Sequence, residues 1–201
     1  MSMNKENEGS AFVEGINFGV IASDSHLSDS DKEQIDEVVS KYGINFELAG
    51  PRIVEPRFYN DASLWVSIFT SPDLVSTILQ GLATNALYDG IKASVIFIVK
   101  KILSKKPSVI SSNDGKIEKK ETGTALELKT DGLSVSLKFD YPLSPTELEA
   151  YFTEFRQLEK GSHDNHSELN RDWVIFEDEN GKIDSKKLTD FLMSQSKSNH
   201  K

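Results

Sequence analysis

The stretch from Leu64 to Leu103 leaves this chain few ways to fold. Residues Ser63 to Phe69 are dense in β-branched and aromatic side chains, and both alternating faces are mostly apolar: Leu64, Val66 and Ile68 on one, Trp65 and Phe69 on the other. That composition predicts a central strand covered on both sides. Thr70, Ser71, Pro72 and Asp73 then form a helix start. Ser71 serves as N-cap, Pro72 takes the first helical position, and Asp73 sits on the positive end of the dipole. A helix start after a strand can also hold an anion. No glycine cradle precedes this one and Asp73 already brings negative charge, so capping is the reading adopted.

From Leu74 onward apolar residues recur in pairs every four positions as far as Ile102 and Leu103. A strict four-residue repeat advances about 40° per step on a 3.6-residue helix, so the apolar stripe winds round the axis. The pattern predicts one long central helix that is covered on several sides, with Gly81 and Gly90 as its weak points. Ala93 to Val99 is apolar all round and reads as core or interface. Ser94 to Val99 alone has strand-like composition, and length decides for helix. The segment is not a membrane span. Asp89 and Lys92 interrupt it, a span needs about 20 mostly apolar residues, and each central charge costs roughly 2.5–3.5 kcal/mol.

Elsewhere the elements are shorter. Ile16 to Ala22 predicts a first strand, Ser30 with Glu33 a capping box, and Ile35, Val38, Val39 and Tyr42 the buried face of a helix ending at Gly43. Ile44 to Ala49 follows as a second strand, giving a βαβ-like unit. After Pro107, Ser108 to Ser112 extends and turns at Asn113-Asp114-Gly115 into a strand bearing Lys116, Lys119 and Lys120. Lysines of this kind protect sheet edges. Asp131-Gly132, between Thr124–Thr130 and Leu133–Phe139, is a two-residue hairpin turn. Its register sets Leu128 opposite Val135 and Leu126 opposite Leu137. Ser144 with Glu147 makes a second capping box, ahead of a helix lined by Leu148, Tyr151, Phe152, Phe155 and Leu158. Trp173 to Phe176 predicts a strand, Asn180-Gly181 a turn, and Asp184 or Ser185 the cap of a last helix with Leu188, Phe191 and Leu192 inward.

The fold expected is therefore α+β: a mixed β-sheet with a long central apolar helix, antiparallel hairpins and a short C-terminal strand-helix appendage. Residues 11–160 would form the α+β domain, 161–171 a polar linker and 172–194 the arm, with 1–10 and 195–201 as disordered ends. At 201 residues the chain holds one core plus an appendage.

Composition narrows the chemistry. Zero cysteines exclude disulfides, thiolate catalysis and cysteine-ligated zinc. The polar start lacks an apolar signal core, so a cytoplasmic location is expected. The net charge is -9 and unevenly spread: residues 1–99 hold 14 acids and 6 bases, whereas residues 100–120 hold 2 acids and 7 lysines. That balance argues against general nucleic-acid binding and leaves one basic patch: Lys100, Lys101, Lys105, Lys106, Lys116, Lys119 and Lys120. It lacks arginine and interleaved aromatics, so helix-end and edge-strand roles explain it more simply than phosphate contact.

Three other clusters carry ligating residue types. Asp24, His26 and Asp29 lie in the loop after the first strand, where α/β proteins place ligands, and could gather a divalent metal. Turns and N-caps select the same residues. His163 and His166 lie in polar sequence with no rigid support for a metal. Asp178 to Asp184 is similar to half of a calcium loop. With Gly181 at the sixth position, however, Phe176 and Lys187 occupy positions that need oxygen ligands, and a hairpin turn explains the segment. No cofactor and no metal is expected.

What remains is apolar surface. The winding helix, with Ile96 and Phe97, and the C-terminal arm, with Trp173, Ile175, Phe176 and Phe191, carry more of it than a small core readily hides. The expected function is non-enzymatic protein–protein interaction, as an adaptor or accessory subunit that binds a protein partner or itself. The order of strand, capped apolar helix and hairpin resembles small adaptor modules of bacterial defence systems, without any diagnostic motif. Lysine outnumbers arginine 19 to 4, consistent with an AT-rich microbial or phage genome. The alternatives are a small metal-dependent hydrolase built on Asp24 and His26, and a phosphate-backbone binder built on the lysine block.

Overall fold

A computed structural model describes residues 15–21, 27–49, 65–81, 86–113, 116–164 and 172–198. The chain is α+β, built round a seven-stranded mixed sheet of order β2-β1-β3-β6-β7-β8-β9. Its strands are β1 (Asn17–Ile21), β2 (Asn45–Ala49), β3 (Trp65–Thr70), β6 (Gly123–Lys129), β7 (Ser134–Phe139), β8 (Asp172–Glu177) and β9 (Ile183–Lys187). β4 (Ser108–Asn113) and β5 (Lys116–Glu121) pair only with each other, as a two-stranded ribbon. The helices are α1 (Asp29–Val39), α2 (Pro72–Gln80), α3 (Ala86–Ser104), α4 (Pro145–Asp164) and α5 (Leu188–Ser198). None among the described residues is long and apolar enough to cross a membrane.

One face of the sheet makes the core. Phe18, Val20, Val66, Ile68, Leu126, Leu128, Val135, Leu137, Phe139 and Ile175 all point to it and pack under α1, α2, α3 and α4. The Asp131-Gly132 hairpin has the register that its alternation predicts, Leu128 opposite Val135 and Leu126 opposite Leu137, and all four are buried. Three crossovers join parallel neighbours: β1-α1-β2, β3-α2-α3-β6 and β7-α4-β8. Strand directions read up, up, down, down, up, up, down along the sheet, so β2-β1-β3 is mirrored by β8-β7-β6. A mirror reverses hand. With all these helices on one face, at least one crossover is left-handed, against a general preference of ~98 %.

Local expectations fail where a distant contact overrides them. The predicted single helix from Leu74 to Leu103 is two helices: α2 ends at Gly81, whose left-handed φ of 58° caps it. Gly90 does not break α3. It lies buried in the second turn of that helix under the Tyr42 ring, and a Cβ there would stand 2.5 Å from Tyr42 Cγ. Residues 91–99 are helical throughout. Ser71 precedes α2 as predicted, but its side chain makes no cap bond; its Oγ accepts from the Asn17 amide at 3.0 Å, tying α2 to β1.

The last helix starts at Leu188, not at Asp184 or Ser185. Asp184 and Ser185 belong to β9, where pairing with β8 overrides a composition poor in strand formers. The turn before β9 is held by Asp178, whose Oδ1 accepts from the amides of Asn180 and Lys182, both at 2.9 Å. α4 runs on to Asp164 and α5 to Ser198, so both extend past the boundaries expected from polarity. The Ser144–Glu147 capping box forms as predicted.

The cap of α1 is Ser28 with Asp31, not Ser30 with Glu33. Ser28 N donates to Asp31 Oδ2 at 3.0 Å, and Asp31 N donates to Ser28 Oγ at 3.3 Å. The deciding contacts come from α3. Lys105 Nζ lies 2.7 Å from Asp31 Oδ2 and Lys101 Nζ 3.1 Å from Oδ1, and Asp31 is only 4 % exposed. The Lys105 contact, the two Ser28 contacts and Lys101 together hold the Asp31 carboxyl far below its ordinary value, against the opposing effect of burial.

Asp31→Asn is therefore expected to cost about 2 kcal/mol at pH 7 by urea denaturation, combining a lost cap with a broken, partly buried ion pair. A lowered folded pKa gives stability that is present above the ordinary aspartate value near 3.8 and lost as pH falls below it. The gap between variant and wild type should accordingly narrow through that range; a gap of constant size would refute the ion-pair account.

Candidate interaction surface

α3 is held on two sides by polar clamps of different build. On the α1 side, Asp31 grips Lys101 and Lys105, Gln34 Oε1 accepts from Lys101 Nζ at 2.7 Å, and Tyr42 lies on Gly90. On the α4 side the centre is Glu149. Tyr88 Oη donates to its Oε2 at 2.8 Å, Arg156 Nη2 to its Oε1 at 2.6 Å, and Lys92 Nζ lies 3.4 Å from Oε2. Arg156 Nη1 also donates to Tyr88 Oη at 3.0 Å and to the Ile78 carbonyl at 3.1 Å, so the same guanidinium ties the end of α2 to α3 and α4. Burial alone would raise the Glu149 pKa, but the Arg156 and Tyr88 hydrogen bonds and the Arg156 and Lys92 charges outweigh it and lower the carboxyl. The Tyr88 hydroxyl is pushed up, chiefly by burial.

With its sides clamped and Ile91, Val95, Ile98, Val99 and Ile102 buried, α3 leaves eleven residues half-buried or exposed. Six of them, Ala86, Asp89, Ala93, Ile96, Lys100 and Leu103, form one line, in which Ile96 and Leu103 also rest partly on the core. Each of the six is half-buried or exposed, and four are apolar. The neighbouring helices differ. α1 exposes Asp29, Ser30, Glu33, Gln34 and Glu37, and α4 exposes Thr146, Ala150, Thr153, Gln157 and Lys160, with one apolar residue among the five. A surface helix ordinarily keeps its outward line polar. The spacing here alternates three and four, a heptad seam of the kind helices use to pair. Ile96 lies on the line and Phe97, half-buried, beside it.

The other sequence-derived candidates scatter. Ile175 and Phe191 are buried within the chain, and Trp173 and Phe176 are half-buried. The arm's apolar residues therefore serve its own sheet: β8 pairs with β7 in parallel, and Phe191 contacts Trp65 and Phe176 with ring centroids at 6.4 and 4.9 Å. Of the seven lysines, Lys101 and Lys105 share the single carboxylate of Asp31, Lys100 and Lys106 are exposed, and Lys116, Lys119 and Lys120 lie on β5 opposite Asn113, Ile110 and Val109 of β4. Asp24, His26 and His166 lie outside the described residues, and Asp29 stands exposed in the first turn of α1. Among the described residues no three histidine, aspartate or glutamate side chains are grouped to hold a metal.

The structure adds a titratable group that no spacing flagged. On the second face of the sheet, Glu127 of β6 accepts from Ser136 Oγ at 2.8 Å, Ser67 Oγ at 3.0 Å and Trp65 Nε1 at 3.4 Å. These donors come from β7 and β3, so nothing local in the sequence could have joined them. Burial pushes the Glu127 carboxyl above its ordinary value, and the three donors only partly offset it. α5 lies on this face, with Phe191 against Trp65. Chemically the group is a partly desolvated carboxylate held by neutral donors, with no salt bridge among the described residues.

No family model matches the chain, and neither a curated protein nor a solved structure matches it.

Because a raised carboxyl pKa favours the folded state below the ordinary value near 4.5 and that advantage is lost as pH rises through the raised one, Glu127→Gln should gain melting temperature relative to wild type as pH climbs from 4.5 to 8. Scanning calorimetry at four pH values checks this; a difference independent of pH would show that Glu127 is not desolvated.

Proposed function

We propose that this chain is a non-catalytic protein–protein interaction module, an adaptor or accessory subunit that offers the outward line of α3 to a protein partner. The observation that carries the reading is the composition of that line: four apolar residues of six, in heptad spacing, on the helix at the centre of the helical layer. The clamps on both sides support it. Interfaces commonly have an apolar centre and a charged rim, and here the rim charges of Lys101, Lys105, Lys92 and Arg156 are already paired within the chain. A partner seated on the line would meet Lys100 as an unpaired charge on it, whereas Lys92 and Arg156 beside it are already bridged to Glu149.

The test is retention of partner by the full chain purified from its own cells, read by light-scattering mass after size exclusion. Ile96→Glu combined with Leu103→Glu should abolish retention. Ala93→Arg, which removes no large apolar side chain from the half-buried position, should do the same while circular dichroism reports a folded chain. Retention unaffected by Ala93→Arg would contradict the proposal.

A further inference from the structure

We infer that the partner of the α3 line is a second copy of this chain, packed antiparallel about a twofold axis that passes between Ser94 and Val95. This rests on the reading above and adds the identity of the occupant. In an antiparallel pair about that point, residues equidistant from it face one another: Ala86 meets Leu103, Asp89 meets Lys100, and Ala93 meets Ile96. Each meeting is complementary. Twice a small side chain receives a large one, as knobs-into-holes packing requires, and once an acid receives a base. By the symmetry of an isologous contact each pairing occurs twice. A parallel pair would set each residue against its own copy, Asp89 on Asp89 and Lys100 on Lys100, which is repulsive at both positions.

The charges are free to serve. Lys100 is exposed and carries no ion pair among the described residues. Asp89 bridges Lys92 at 3.2 Å, but its side chain is 63 % exposed and can accept a second cation. The whole chain carries -9, so two copies repel at low salt. At ~0.15 M salt charges farther apart than about 8 Å are largely screened, and the local pattern on α3 decides. The six seam residues span about 27 Å of helix and three of them are already half-buried, so the contact falls in the class of small, reversible interfaces.

Sedimentation equilibrium from ~5 to ~300 µM in 0.15 M salt tests it. Wild type should move from the 22.4 kDa monomer towards twice that mass. Asp89→Lys and Lys100→Asp should each weaken association by about tenfold, since each turns two attractions into two repulsions. The double variant should restore it. Both positions are exposed, so circular dichroism should report folded protein in all three. A wild type that stays monomeric at the top concentration overturns the inference. So does a double variant no better than the singles, which would mean that any dimer uses another face or another register. If the wild type is monomeric yet a different protein is retained in an Ala93→Arg-sensitive manner, the interaction reading stands and only the second copy falls. If α3 substitutions alter neither readout, both fall.

Discussion

α3 must bury three of its sides in a layer only one helix deep, and it does so because two carboxylates on neighbouring helices hold its cations in place. Asp31 fixes the C-terminal end against α1 and Glu149 the N-terminal end against α4. The two differ in cost. Asp31 is almost fully buried and doubles as the cap of its own helix, so its charge is satisfied four ways and held ionised. Glu149 is more exposed and depends on Arg156, a residue whose guanidinium also closes the end of α2. Ion pairs at the surface contribute little, whereas a buried carboxylate stripped of its partners is strongly destabilising. The α1 clamp is therefore the stiffer of the two. Among the side chains that the clamps and the core leave half-buried or exposed is one line in heptad spacing, four of its six residues apolar.

The sheet imposes a matching asymmetry. Its mirrored strand order lets α1, α3 and α4 all lie on one face, at the expense of at least one left-handed crossover. The second face holds the Glu127 group and, among the described helices, α5 alone. Over residues 188–195, α5 buries Phe191 alone, half-buries Leu188 and Leu192, and exposes the other five. A short helix held mainly by one aromatic side chain belongs to the low-stability end of a protein's local unfolding range. The molecule thus joins a tightly determined helical layer to a lightly fastened C-terminal helix, with the sheet between them.

How much of this could be read from sequence depended on whether the determining contact was local. The Asp131-Gly132 hairpin was legible because turn chemistry and alternation on both strands agree within sixteen residues. The Ser144–Glu147 box was legible for the same reason. The start of α1 was not: Ser28/Asp31 and Ser30/Glu33 are equally good boxes, and the choice lies with Lys101 and Lys105, seventy residues on. Gly81 and Gly90 were indistinguishable until Tyr42 was seen to lie on one of them. β9 lacks strand composition and exists because β8 offers it an edge. The outward line of α3 was partly legible. Ile96 and Phe97 stood out, but the dominant four-residue repeat traced the buried stripe and obscured the three-four seam beside it. The Glu127 group, assembled from three strands, left no sequence signal at all.

The account makes α3 the axis of the fold, and amide hydrogen exchange by mass spectrometry examines that directly. Peptides from residues 88–102 should be the slowest-exchanging helical segment, opening only with global unfolding, while residues 190–197 exchange orders of magnitude faster. If α3 instead exchanged as fast as α5, the two carboxylate clamps would not be holding it, and the surface it presents would have no fixed form to recognise.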